Sequence, residues 1–405
     1  MIALFIGIAA IFIVCQHFIL SYISDKNKEQ KAKALHLNIT QVGVRIAQYV
    51  LASIFIIVIV QMYITSQYSS ALLVASTGIS YMLATVMFAL LTRGFLSWYW
   101  TSSKEKKKNA MIIIFAMAMT ATVVVYTVGA VVLLLGMLQQ QPEIIASDRV
   151  ASFPEFEPDS LMGQVQSWYQ IAAAVFFVLT WIGTVLLLYP YSKRFGKAKF
   201  WAVMGFAVFY HTIQIPLFEL GWYTPSENSD AMTNILTFSV VGLFSGIIFG
   251  AAFLSVARTL PKGSPLRSQM MIAAYGLLLF YVVGGGTASQ AAYPPIGLAS
   301  VSVVGLASYM IYTGLYSSAI SVSQDLELRQ SIRKSAMEQS RLLDSIGTAQ
   351  MEVELQGRVL SVVKKQSETM AEQTGIEPSM SEDDMKDYLE IVVNELKGAK
   401  VATGS

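Results

Sequence analysis

The chain has 405 residues, of which 54% are hydrophobic and only 13% are charged. Soluble domains carry about 25% charged residues, so this composition excludes an ordinary water-soluble domain and indicates a protein whose solvent is lipid. Residues 1–322 hold 18 Lys and Arg against 11 Asp and Glu, whereas residues 323–405 hold 10 against 15. The basic residues lie in short loops between apolar runs, so we assign them to helix orientation and not to nucleic-acid binding.

Nine apolar runs are candidates to cross a hydrocarbon core of ~30 Å, which takes about 20 helical residues. They are residues 2–23, 44–65, 71–92, 110–138, 168–190, 200–220, 231–257, 270–286 and 298–321. Basic residues follow every odd-numbered run and mainly acidic residues follow the even-numbered ones, as the positive-inside rule requires. The sequence therefore predicts an all-α polytopic bundle, 1–322, of nine transmembrane helices in the cell membrane, with the N-terminus outside and the C-terminus cytoplasmic.

Aromatic residues cluster near the ends of the predicted spans, as Trp98, Tyr99 and Trp100 do after the third run. Tryptophan and tyrosine concentrate at the two membrane interfaces, so we interpret these residues first as interface anchors.

Beyond Val322 charged residues recur every three or four positions, while the apolar residues keep a helical period. The sequence predicts that residues 323–370 continue the last membrane helix into the cytoplasm. Heptad-like spacing there favours a homodimeric coiled coil, although the same stripe could fold back on the bundle or bind a cytoplasmic signalling protein. The seam positions are Leu342, Ile346, Ala349, Val353 and Leu360. Residues 371–405 are predicted to form a linker and a short amphipathic helix.

This tail, with segments such as LELRQSIR at 326–333 and SRLLDSI at 340–346, resembles the juxtamembrane signalling helix of prokaryotic membrane receptors, including histidine-kinase-type sensors. The resemblance covers residues 320–366. No histidine follows His211 and no glycine-rich ATP-binding segment is present. The resemblance therefore implies a multi-span sensor without a kinase, whose output passes through a separate protein.

Polar side chains within the sixth run form the strongest candidate site. His211, Gln214 and Glu219 lie on roughly one side of a helix, because their spacings are three and eight residues. Ionisable groups inside a membrane are costly and commonly functional, so the three side chains are candidates for sensing a proton, a cation or a small ligand. The alternative is a neutral histidine hydrogen-bonded between helices, with Glu219 reaching water.

Secondary candidates are His17 in the first run and Gln290 in the loop before the last run. His17 and His211 could in principle ligate a haem, but their depths differ, and the sequence predicts no cofactor and no metal site. Arg45, near the start of the second run, is expected to extend to the lipid headgroups.

Small residues recur every four positions in the seventh run, at Gly242, Gly246 and Gly250. Such a stripe allows another helix to approach closely, so we predict tight packing there without specifying the partner helix.

The sequence contains no Walker, HExxH or GxSxG motif, and no lysine within a span, which excludes a retinal Schiff base. We therefore expect no enzyme, with a membrane redox role left open. The leading hypothesis is a signal-transducing receptor. The alternatives are a channel or secondary transporter for a small ion or solute, and an accessory subunit of a membrane complex.

Overall fold

A computed structural model describes residues 2–28, 35–104, 110–139, 144–146, 159–189, 192, 196–219, 231–260, 263–284, 294–324, 343, 346–355, 357, 359 and 361–362. Within these ranges nine long helices occur, and each overlaps one of the nine predicted apolar runs. They are α1 (Ile2–Lys26), α2 (Leu35–Thr65), α3 (Ser70–Lys104), α4 (Ala110–Gln139), α5 (Leu161–Leu188), α6 (Lys197–Glu219), α7 (Ala231–Thr259), α8 (Pro265–Gly284) and α9 (Pro294–Gln324).

Among the described residues, seven of these helices are long enough and apolar enough to cross a membrane. The two exceptions are α6 and α7. Helix α7 contains a shorter apolar stretch, Gly242–Arg258. Large apolar side chains also cover the outside of the bundle, such as Phe18, Ile46 and Ile64. Side chains of this kind are stable on a surface only if lipid surrounds it. The protein is therefore an all-α, multi-pass membrane protein.

One small departure from helix is a two-stranded antiparallel ribbon. Strand β1 (Gln67–Ser69) follows α2, and strand β2 (Ile144–Ala146) follows α4. Tyr68 pairs with Ile145 at the centre of the ribbon, and its side chain is buried. The ribbon joins two loops at one end of the bundle. The opposite end, where α1, α3 and α7 end, carries exposed cations such as Lys28 and Arg258; we call it the basic end.

Six helices form a ring in the order α3, α4, α5, α7, α8 and α9, with α9 packed against α3. Helices α1 and α2 pack outside the ring against α9 and α3, and α6 packs against α5 and α7. Sequence neighbours are adjacent in most of the ring, as short connections require. Two contacts are exceptions: α5 packs against α7 although α6 lies between them in the sequence, and α9 packs against α3 although the contacting segments are more than 200 residues apart.

Aromatic side chains occupy the interior of this ring. The ring centroid of Phe280 in α8 lies 5.1 Å from that of Phe88 in α3 and 5.7 Å from that of Tyr126 in α4. The neighbouring Tyr281 lies 4.5 Å from Phe249 in α7. Edge-to-face and tilted pairs at these distances stabilise a core beyond the burial of their area. We call this cluster the aromatic core; its members are Tyr81, Phe88, Tyr126, Phe176, Phe177, Phe249, Phe280 and Tyr281.

The glycine stripe of α7 lies against the backbone of α8. A Cβ added to Gly246 would stand 2.7 Å from the carbonyl oxygen of Leu278, and one added to Gly250 would stand 2.9 Å from that of Ala274. Gly242 makes the same kind of approach one turn away. No side chain fits in that space, so these residues permit a backbone separation that larger residues would prevent.

A second close approach joins α8 to α9. A Cβ on Gly314 would lie 2.7 Å from the carbonyl oxygen of Gln269, and one on Gly276 would lie 2.9 Å from the backbone nitrogen of Ile311. Helices α7, α8 and α9 therefore form one tightly packed block, and α9 ends at the basic end of the bundle next to α3.

Candidate functional site

The described part of the tail is a helix that packs on the bundle. Residues 346–355 are helical, and Leu343, Ile346 and Ala349 are buried in the same apolar core as α3, α4, α8 and α9. Their spacing of three residues places them on one helix face. The apolar stripe that the sequence shows in this region therefore contacts the chain's own bundle.

The tail does not continue α9 as one straight helix, and its described part takes the fold-back that the sequence left open. The hydroxyl of Ser323, at the end of α9, donates to the carbonyl oxygen of Ile320 at 2.8 Å and also lies 3.4 Å from Oε1 of Glu354, 31 positions further along the chain. One continuous helix would separate these two residues by ~46 Å, since each residue advances the helix by 1.5 Å. The tail helix must therefore lie beside the ends of α9 and α3.

A buried hydrogen bond holds the tail to α3. The indole N–H of Trp98 donates to Oε1 of Gln350 at 2.8 Å, and both side chains are buried. The Tyr316 hydroxyl of α9 is also hydrogen-bonded to the Gln350 side chain, and the Tyr316 ring stacks on Trp98 with centroids 5.9 Å apart. One amide of the tail thus joins two helices of the ring.

Glu354 extends this arrangement by one turn. Gln350 donates from Nε2 to Oε1 of Glu354 at 3.2 Å, and the same carboxylate oxygen lies 3.4 Å from the Ser323 hydroxyl described above. A buried or half-buried polar group needs such partners, because an unpaired one costs about 1–3 kcal/mol. We call Trp98, Tyr316, Ser323, Gln350 and Glu354 the tail-docking site.

Gly347 sets the distance between the tail and α9. A Cβ at this position would overlap the side chain of Val322, whereas one at Gly357 would meet nothing within 4 Å. The tail can therefore approach α9 closely only because residue 347 has no side chain.

Trp98 differs from its predicted role as an interface anchor, because its side chain is 1% exposed and lies beneath the tail. Trp100, two residues later, is 68% exposed and can serve as an anchor. Sequence reasoning also missed Gln350. The signal that could have identified it is its place directly after the seam position Ala349, where a polar side chain can form a hydrogen bond at the edge of a buried face.

Two of the five predicted dimer-seam residues, Ile346 and Ala349, are buried against the bundle of a single chain. Val353 is half-buried, and Leu342 and Leu360 lie outside the described residues. The homodimer stays a prediction, and it requires Ile346 and Ala349 to leave the surface that they occupy here.

The leading candidates from the sequence fall on α6, whose backbone reaches Glu219. The side chains of His211, Gln214 and Glu219 lie outside the described part of the chain, as does Gln290. Among the residues that the structure describes, no group of three or more His, Cys, Asp or Glu could hold a metal ion.

His17 lies in a groove between α1 and α2 that has a volume of about 460 Å³. Arg45, Gln16 and Tyr49 share the groove with it, and apolar residues complete the walls. The structure thus brings together two residues, His17 and Arg45, that the sequence singled out separately. Gln48 of α2 is fully buried nearby, and its Nε2 donates to the carbonyl oxygen of Ser302 in α9 at 3.5 Å.

The fold and the tail-docking site together define a helical membrane protein whose own tail helix packs on the basic end of the bundle. Comparison with protein-family models, with curated proteins and with solved structures gives no match.

Proposed function

We propose that the protein is a membrane-embedded sensor without a catalytic domain, in which the signal is the docking or release of the tail. The observation that carries this proposal is the buried Trp98–Gln350 hydrogen bond, which ties the tail to α3 and, through Tyr316, to α9. A small shift between α3 and α9 would break this bond geometry, because both helices contribute to it. The proposal treats this contact as a switch with two states, docked and released.

Release of the tail would expose Ile346 and Ala349, which are now buried. These residues belong to the stripe that resembles the signalling helix of prokaryotic receptors. In the proposed active state the freed stripe pairs with a second copy of the chain or with a cytoplasmic signalling protein. The same helix therefore serves as an inhibitor when docked and as an output when released.

The input site in this proposal is the polar side of α6, with His211, Gln214 and Glu219. Helix α6 packs against α5 and α7, and α7 belongs to the rigid block that ends in α9. A change at α6 could therefore reach the tail through packed helices. The proposal includes nine spans, an outer N-terminus and a cytoplasmic tail in the cell membrane, as the charge pattern of the loops indicates.

The aromatic core favours a sensor over the alternative of a channel or transporter. A path through the centre of the six-helix ring would have to displace rings such as Phe280, which contacts aromatic residues of α3, α4 and α5. A close-packed interior transmits displacement between helices, because it has little free volume to absorb it.

The test uses a single reporter cysteine, Ala349→Cys, in a Cys15→Ala background. Ala349 is 1% exposed, so a docked tail protects the thiol from a maleimide in open membrane fragments. We expect the labelling rate to change when the pH is varied between about 6 and 8, the range over which an imidazole titrates, or when Na⁺, K⁺ or Mg²⁺ is added.

The triple variant His211→Ala, Gln214→Ala, Glu219→Gln should abolish that change. If every stimulus-dependent change survives in the triple variant, the proposed input site is wrong. If the rate is constant under all these conditions and proteoliposomes show ion flux that is lost in Glu219→Gln, the protein is a transporter and the sensor proposal fails.

A further inference from the structure

The groove between α1 and α2 contains a cation, Arg45, that forms no salt bridge with a carboxylate of the described residues. Its side chain is half-buried in α2. A guanidinium cannot lose its proton, so it needs an anion or water wherever it lies. Its described neighbours in the groove, His17, Gln16 and Tyr49, do not supply a negative charge.

Gln16 lies in the wall of the groove but is not open to it. Its side chain is 3% exposed, and its Oε1 is buried. The polar side chains that a molecule in the groove can reach include Arg45 and His17.

The walls of the groove and its depth limit the kind of molecule that fits. Arg45 lies ten residues after the start of α2, ~15 Å from Leu35 at the basic end. Because α2 has 31 residues and spans ~46 Å, its first turns project beyond a ~30 Å core, and Arg45 lies near the boundary between headgroups and acyl chains. The remaining lining residues are mostly apolar; they include Ile13, Val14, Phe18, Leu20 and Ala52.

The groove opens on the lipid-facing side of the bundle. Val14 and Phe18 are 52% and 67% exposed, and His17 is exposed as well. An imidazole on a lipid-facing surface is costly unless it has a polar partner there. A soluble anion would leave the apolar walls uncovered, whereas a lipid covers them with its acyl chain and presents an anionic headgroup at the level of Arg45.

We propose that this groove binds an anionic phospholipid. The phosphate contacts Arg45 and His17, and an acyl chain lies along Val14 and Phe18. The proposal stands apart from the sensor function, because lipid binding is measured without any readout from the tail.

The experiment is native mass spectrometry of the full chain, delipidated in detergent and titrated with phosphatidylglycerol or with phosphatidylcholine of the same acyl chains. We expect phosphatidylglycerol to bind at least tenfold more tightly. Arg45→Gln should lower its affinity at least tenfold, which corresponds to a loss of about 1.4 kcal/mol or more, because the phosphate loses a charge-assisted hydrogen bond. Arg258→Gln is the matched control, because it removes an exposed arginine from the same end of the bundle and should leave the affinity unchanged.

A second pair of variants tests the groove without changing charge. Val14→Trp should fill the groove and weaken phosphatidylglycerol binding, whereas Ile11→Trp, on the same helix at a position 66% exposed and outside the groove, should not. Equal binding of the two lipids, or equal losses in Arg45→Gln and Arg258→Gln, would overturn the proposal. Displacement of the lipid by millimolar inorganic phosphate would also overturn it, because the site would then recognise a free anion.

Discussion

Trp98 and Gln350 are 252 residues apart in the sequence, yet the indole N–H of one donates a buried 2.8 Å hydrogen bond to the side-chain oxygen of the other. The bond joins the end of α3 to the tail. Because Tyr316 of α9 hydrogen-bonds the same amide, the tail contacts two neighbouring helices of the ring through one side chain.

Replacing Trp98 by phenylalanine should release the tail. The ring would keep much of its apolar contact, but Oε1 of Gln350 would lose its donor, which costs about 1–3 kcal/mol. We expect maleimide labelling of the Ala349→Cys reporter to rise about 5- to 150-fold, following the change in the docking equilibrium. Trp100→Phe, at the exposed neighbouring tryptophan, should leave the labelling rate unchanged.

Gly347→Ala should weaken docking through steric overlap with Val322. Gly357→Ala serves as its control, because both changes raise helix propensity by about 1 kcal/mol and only the first adds an atom in occupied space. We expect proteolysis of the tail to be faster in Gly347→Ala and unchanged or slower in Gly357→Ala. Equal cleavage rates in the two variants would show that the tail does not approach α9 as described.

Gly246→Ala should destabilise the whole bundle, because its Cβ would stand 2.7 Å from the carbonyl oxygen of Leu278. Forcing α7 and α8 apart costs about 1–3 kcal/mol in well-packed proteins. A thermal-shift assay in detergent should therefore give a lower Tm for Gly246→Ala. The same change at Gly205, where a Cβ meets nothing within 4 Å, should not lower the Tm.

The orientation in the membrane is testable with two single cysteines in a Cys15→Ala background. Gln67 is exposed in strand β1, and Lys28 is exposed at the basic end. If the N-terminus is outside, an impermeant maleimide added to intact cells should label Gln67→Cys and should label Lys28→Cys only after the membrane is opened. The reverse pattern would invert the proposed topology and place the tail outside.

Hydrophobicity and length were sufficient to locate the helices but not their ends. Helix α2 begins at Leu35, nine residues before the predicted run, and α3 continues to Lys104, twelve residues beyond it. A helix does not stop where the membrane stops, since polar residues also form helix in water. This extension matters, because Trp98 lies in the part of α3 that the apolar run did not include.

Local sequence left the fold-back of the tail as one of several alternatives and could not decide among them. A stripe at Ile346 and Ala349 indicates a helix with one covered face, but nearby residues do not show what covers it. That depends on contacts with α3 and α9, such as the one with Trp98. For Gly242, Gly246 and Gly250 the sequence likewise predicted a close approach, while only the structure assigns it to α8.

The contact between residues 98 and 350 also bears on how the protein is made. The ribosome adds Gln350 after it has synthesised all nine helices that the structure describes. This hydrogen bond can therefore form only after insertion of the last of these helices has begun. The tail reaches its place only if α3 and α9 have already met. Docking is therefore a late step of biogenesis, and a protein whose ring has assembled wrongly would leave an apolar helix uncovered at the membrane surface, where quality-control proteases recognise such segments.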